Sequence, residues 1–255
     1  MSTIAGLLIS GAFGLAAGSF LNVCIYRLPA HRSLVRPASH CPACKTPIRW
    51  FDNVPVVGYL LLAGRCRACR APIPWMYPVV EGVTAAVFVA AFAQFGPQPL
   101  LVPRLLFACA MIVLFVVDLQ HRILPNAITL PGIAAGFAFS FLGPPGWLES
   151  LLGVACGGGI LLLIAEGYYR IRGEEGLGMG DVKMLAMIGA FLGWRLMFVT
   201  LVLSSFLGSV IGLALVALRR GDMKYALPFG SFLAIGALVA SVAGRAILDW
   251  YLGFY

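Results

Sequence analysis

Two aspartates and four cysteines stand out from an otherwise apolar sequence. Asp118 closes an uncharged run in FVVDLQHR (residues 115–122), and Asp181 stands in GMGDVKML (residues 178–185), directly ahead of another such run. A carboxylate at the edge of an apolar segment is costly and asks for a reason. Two carboxyl groups brought close together do not both ionise readily and come to share a proton. Such a pair can activate water with its ionised member and protonate a carbonyl or a leaving amine with the other. Each residue also has a plainer reading: Asp118 as an interfacial partner of Arg122, and Asp181 as a helix N-cap, a position Asp fills well. Gly178 and Gly180 would let backbone, or an extended chain, approach Asp181 closely.

The cysteines form two CxxC pairs, Cys41-Pro-Ala-Cys44 and Cys66-Arg-Ala-Cys69, with 21 residues between them. One such pair lets two thiolates on a tight knuckle bind one metal, and a second completes a tetrahedral four-sulfur site that suits Zn²⁺. Four protein ligands leave no open position for water, so the expected metal is structural. Disulfides are the alternative, disfavoured if the loop faces a reducing compartment. Cys24, Cys109 and Cys156 are scattered in apolar segments and read as small core residues.

The elements that must position these groups follow from composition. Of 255 residues, 61% are hydrophobic and 11% charged, against roughly a quarter charged in soluble domains. Runs of about 20 nearly uncharged residues are long enough to cross a bilayer, and in lipid they must be helical. Eight apolar segments are expected, at 4–26, 77–95, 100–117, 127–142, 148–168, 182–194, 196–218 and 226–248. The sixth is short, and by itself would look re-entrant. No basic n-region or cleavage site marks the first, which reads as a retained helix. No internal repeat or linker divides the chain, so 1–255 reads as one all-α integral membrane domain, with 27–75 an inserted loop carrying the cysteines.

Charge placement orients the chain. The 27–75 loop holds eight basic residues and one acidic, Asp52, for a net of +7 out of +8 overall. A basic loop beside membrane helices reports topology through the positive-inside rule, and this placement argues against nucleic-acid binding. With the loop cytoplasmic, alternation puts 15 of the 18 basic residues inside and leaves Arg104, Arg195 and Arg245 near the outer face. The third segment then runs inward to end at Asp118, and the sixth starts from the inner face at Asp181. Both carboxylates fall at one depth, toward the cytoplasm, where they can meet. Glu81 and Glu166 are further embedded acids, read as packing or polar-cavity groups.

With these features in place, the sequence resembles the type IV prepilin leader peptidases. The likeness rests on GSFLNVCIYRLP (18–29), the CPAC and CRAC knuckles flanking DNVPVVGYLLLAGRCR (52–67), MYPVVEGVTA (76–85), VDLQHRILPN (117–126) and GLGMGDVKMLAMIGAFLGW (176–194), in that order. The resemblance implies an aspartyl endopeptidase of the bacterial inner membrane that cleaves prepilins or pseudopilins at the cytoplasmic face, with Asp118 and Asp181 as its catalytic pair. It also implies S-adenosylmethionine-dependent methylation of the new N-terminus. No Gly-rich strand–turn–helix element for that cofactor is visible, so the methyltransferase site has no residues assigned. One departure is LPFGS (227–231), where many relatives carry a second proline in place of Ser231. A proton-coupled transporter would also use intramembrane acids, but no inverted repeat is apparent and both aspartates lie at one face. A non-catalytic zinc-loop scaffold for secretion would not need the aspartates to meet.

Overall fold

The computed structural model describes residues 3–173, 178–218 and 227–253. Gly176 and Leu177 of the second aspartate motif, the basic residues Arg219, Arg220 and Lys224, Ala226 and the two chain ends lie outside them. The described chain is helical: α1 Thr3–Arg27, a 3₁₀ turn Trp50–Asn53, α2 Val57–Leu61, α3 Met76–Phe95, α4 Leu101–His121, α5 Asn126–Phe139, α6 Trp147–Arg172, α7 Met179–Ala217 and α8 Phe229–Leu252. Six of these helices are long and apolar enough to cross a membrane. The chain groups into two compact units, Met1–Val113 and Leu114–Tyr255, the boundary falling within α4.

In the first unit, α1 and α3 pack antiparallel through small residues. A Cβ on Gly14 would lie 2.6 Å from the Ala85 Cα, and one on Gly18 would lie 2.6 Å from the Glu81 Cα. Helices in lipid gain little from burying apolar surface against one another, so such close backbone approach supplies much of their attraction. Two polar contacts fix the register: the Ser10 hydroxyl donates to the Phe88 carbonyl at 2.9 Å, and the Asn22 amide donates to the Tyr77 carbonyl at 3.0 Å.

The second unit is built around the first arm of α7. Met184, Leu185, Met187, Ile188 and Ala190 are wholly buried there, as expected of a helix that is apolar all round. Across from it, α6 runs antiparallel: Gly153 meets Gly189 backbone to backbone, Gly157 meets Leu185, and the Ser150 hydroxyl donates to the Ala190 carbonyl at 2.7 Å. α5 runs parallel to the same arm, with Gly132 against Met187 and Gly136 against Phe191. At 14 residues α5 is shorter than the six helices long enough to cross a membrane.

α7 is 39 residues long, which at 1.5 Å per residue is about twice a 30 Å hydrocarbon core. It is not straight. Gly193 takes φ 78°, ψ 168°, a conformation essentially confined to glycine. Beyond it the chain doubles back along α8, Leu196 lying against Gly244 and Ser204 against Gly236, with Gly212 against Leu227 at the start of α8. The two arms correspond to the sixth and seventh segments expected from sequence. All eight apolar segments are therefore helical.

Candidate active site and metal centre

Asp118 lies three residues before the end of α4 and is only 5% exposed. Its Oδ2 accepts two hydrogen bonds from the first turn of α8, from the Ser231 backbone N–H at 2.6 Å and the Ser231 hydroxyl at 2.9 Å. The approach is close enough to demand glycine next door, since a Cβ on Gly230 would lie 3.1 Å from the Asp118 carboxyl carbon. Arg122 acts on Asp118 electrostatically, but the carboxylate's bonded partner is Ser231. To the electrostatic pull of Arg122, which the sequence allows for, the fold adds a hydrogen-bonded contact between α4 and α8.

Asp181 is the third residue of α7 and half-buried. The N-cap position belongs to Gly178, which has no side chain to cap with, so the N-cap reading of Asp181 does not hold. A Cβ on Gly178 would stand 3.4 Å from Asp181 Oδ2, so Gly178 leaves room beside the carboxyl group. Leu124 joins the two aspartate-bearing elements: its side chain lies 3.0 Å from the Cβ position of Gly180 and 2.9 Å from that of Gly230. The starts of α7 and α8 and the end of α4 therefore converge at one end of this unit, and the Asp118 carboxyl group acts electrostatically on Asp181. Nearby, the Lys183 ammonium donates to the Asn126 amide oxygen at 3.0 Å, tying α7 to the start of α5.

In the first unit the four cysteine sulfurs lie within 4.8 Å of one another. Cys41 and Cys69 approach to 3.8 Å and Cys44 and Cys66 to 3.9 Å. A tetrahedron with Zn–S bonds of about 2.3 Å separates its sulfurs by about 3.8 Å. None of the seven cysteines is in a disulfide. The two knuckles share one design, HCPACKTPI (40–48) and RCRACRAPI (65–73). In each, the first cysteine's N–H bonds back to the fifth residue beyond it, a residue of positive φ (Lys45, Arg70) follows the second cysteine, and an isolated bridge closes the turn. This short repeat is one the sequence reading missed. Hydrogen bonding with Thr46 holds the Cys44 thiol down to about 6, while hydrogen bonding with the neighbouring cysteines pushes Cys69 up to about 11. The cluster could hold a metal ion. Close by, the Arg67 guanidinium grips Asp52 at 2.6 Å and holds its carboxyl below the usual carboxylate range.

The remaining embedded acids differ from each other. Glu81 is 8% exposed, and its Oε2 accepts the Val56 backbone N–H at 2.7 Å. Glu166 is an exposed partner of Arg170 one helical turn on. Ser231 and Leu124 are the site residues that sequence reasoning did not place. Ser231 carried a signal only as a departure from the pattern the resemblance implies, and its N–H and hydroxyl are two donors a proline would lack.

Comparison with known proteins adds an independent line. Residues 12–95 match the Bacterial Peptidase A24 N-terminal domain and residues 105–213 the Type IV leader peptidase family. The prepilin leader peptidase/N-methyltransferase of Aeromonas hydrophila is 36% identical over 267 residues, covering 94% of this chain and 91% of that protein. Its Pseudomonas aeruginosa counterpart is 33% identical over 98% of this chain, and that of Myxococcus xanthus 40% identical over 80% of it. No solved structure matches significantly.

Proposed function

The chain belongs to the type IV leader peptidase family, and we propose that it is a membrane aspartyl endopeptidase that removes the leader peptide of type IV prepilins or pseudopilins. In this reading it also N-methylates the new N-terminus, using S-adenosylmethionine. The observation that carries the peptidase assignment is the convergence of Asp118 and Asp181 at one end of the second unit, with Asp118 braced by Ser231.

The chemistry follows from that arrangement. Both Ser231 donors point to Oδ2 of Asp118, which makes that oxygen an acceptor. The proton shared by the pair then belongs on Asp118 Oδ1 or on Asp181. The ionised carboxylate takes a proton from water as the water oxygen attacks the scissile carbonyl carbon. The protonated partner gives its proton to the carbonyl oxygen. On collapse of the tetrahedral intermediate, the carboxyl group that took water's proton gives it to the leaving amine as the C–N bond breaks, and an intermediate hydroxyl returns its proton to the other carboxylate, which restores the pair. Gly178 leaves room beside the Asp181 carboxyl group, while the side chain of Leu124 fills the space next to Gly180.

We assign Cys41, Cys44, Cys66 and Cys69 as ligands of one structural Zn²⁺, supported by the sulfur spacing and the twin knuckles. When bound, the ion supplies a cross-link that holds the two knuckles together. We further read 1–255 as one integral membrane domain, with 27–75 a cytoplasmic insertion between the first two spanning helices. Its net charge of +7 supports placing that loop, and the aspartate pair, on the cytoplasmic side of a bacterial inner membrane. The partners are prepilin substrates and the bilayer, with no nucleic acid.

The test is cleavage of a candidate prepilin by the purified protein, with S-adenosylmethionine supplied or omitted. Cleavage in both samples, with a methylated mature N-terminus only when the cofactor is supplied, is the expected result. Intact precursor in both would count against the assignment.

A further inference from the structure

We propose that the 48–62 segment of the four-cysteine loop is an interfacial membrane anchor, its apolar side chains inserted among anionic phospholipids and Arg49, with the basic residues of the surrounding loop, set against their phosphates. Glu81 is a buried carboxylate inside a membrane-spanning helix that the proteolytic chemistry does not use. Its Oε2 accepts the N–H of Val56, the residue that precedes α2, and a carboxylate bonded to backbone N–H is a strong tie. Val56 holds φ 60°, unusual for a β-branched residue and sustained only where the surroundings impose it.

The tie fixes depth. Glu81 is the sixth residue of α3, about 7.5 Å along the helix from its first residue at 1.5 Å per step. α3 is 20 residues long, about one hydrocarbon thickness. The start of α2 therefore sits within about 7.5 Å of the lipid boundary, inside the range of about 5–10 Å to which interfacial helices bury their apolar faces. The loop cannot drift away, because its two ends run straight into α1 and α3.

The surface held at this depth suits lipid and not water. Leu60 and Leu61 are 68% and 78% exposed, Trp50 is 82% exposed, and Ile48, Val54 and Val57 are also open. So many exposed large apolar side chains within 15 residues mark an interaction surface, and tryptophan favours the headgroup level. Beside them, Arg49 and Arg67 lie over the Phe51 ring at 5.8 Å and 5.5 Å. The loop's net charge of +7 is complementary to anionic headgroups, each nearby Lys or Arg contributing about 1 kcal/mol of attraction.

The experiment uses the full chain in nanodiscs of phosphatidylcholine, with or without one part in three of phosphatidylglycerol, read by peptide-resolved hydrogen exchange. Exchange across 57–62 is expected to slow about tenfold in the anionic discs, and L60S/L61S to restore the faster rate while peptides from α6 and α8 are unchanged. A second measurement needs no variant: a phospholipid with a photoreactive acyl chain is expected to label 48–62 as well as the spanning helices. Equal exchange in the two lipids, absence of label from 48–62, or slowing only when a prepilin is added would overturn the anchor. The last outcome would assign the surface to a protein partner. None of these readouts depends on catalysis, so their failure is separable from failure of the peptidase assignment.

Discussion

Ser231 shows how one side chain can support a carboxylate without taking part in proton transfer itself. It donates twice to one oxygen of Asp118. Replacing it by alanine keeps the backbone donor and removes the hydroxyl. A hydrogen bond to a charged group contributes about 1.5–3 kcal/mol, part of which the remaining N–H retains. Ser231→Ala is therefore expected to lower kcat for prepilin cleavage about fivefold to tenfold with little change in KM. Ser231→Thr, which keeps both donors, should stay near wild type. Unaltered kcat in the alanine variant would show that the N–H alone suffices. The two aspartates were legible in the sequence because charge beside apolar runs is conspicuous. Ser231 was visible only as a departure from a pattern, since a serine opening an apolar helix is ordinary and its partner lies 113 residues away. Glu81 was likewise visible as an embedded acid, but its bond to a loop amide is a tertiary fact that spacing does not encode.

At the scale of helices, glycine sets how near the elements come. Gly153 and Gly189 meet so closely that a Cβ on either would strike the other's backbone. Both contacts are with backbone atoms, which cannot swing aside as the end of a flexible side chain can. Overpacking of this kind costs about 1–3 kcal/mol. Gly189→Ala is expected to lower the thermal midpoint of the detergent-purified protein by several degrees, and Gly159→Ala, where a Cβ meets nothing within 4 Å, to leave it unchanged. Equal midpoints for the two variants would refute the packing argument. Hydropathy alone revealed the eight apolar segments, because a bilayer imposes length and apolarity on whatever crosses it. The break between the sixth and seventh also emerged within two residues of its place, near the Gly193–Trp194–Arg195 interruption. α2 was missed, because five residues are too few to show a period and its apolar face looks outward.

The molecule as a whole carries a four-cysteine loop in its first unit and apolar helices in both units. The zinc assignment predicts one Zn²⁺ per purified chain by metal analysis, falling to well under one in Cys41→Ser or Cys66→Ser. Chelation is expected to open the loop to protease, because a structural metal contributes folding free energy directly. A full complement of metal in either serine variant would place the ion elsewhere. The four cysteines were readable from spacing alone. What spacing could not supply was the twin hydrogen-bonding pattern that brings their sulfurs together.

The central claim, that Asp118 and Asp181 act as one proteolytic unit, is tested most directly by assaying both activities in Asp118→Asn and Asp181→Asn. Asparagine keeps nearly the same shape but cannot exchange a proton as a carboxyl group does. Residues acting as a unit are lost together, so either change alone is expected to abolish prepilin cleavage. Methylation of a substrate supplied already cleaved should continue in both variants, since amine methylation needs no carboxylate-activated water. Cleavage near the wild-type rate in either variant would contradict the account.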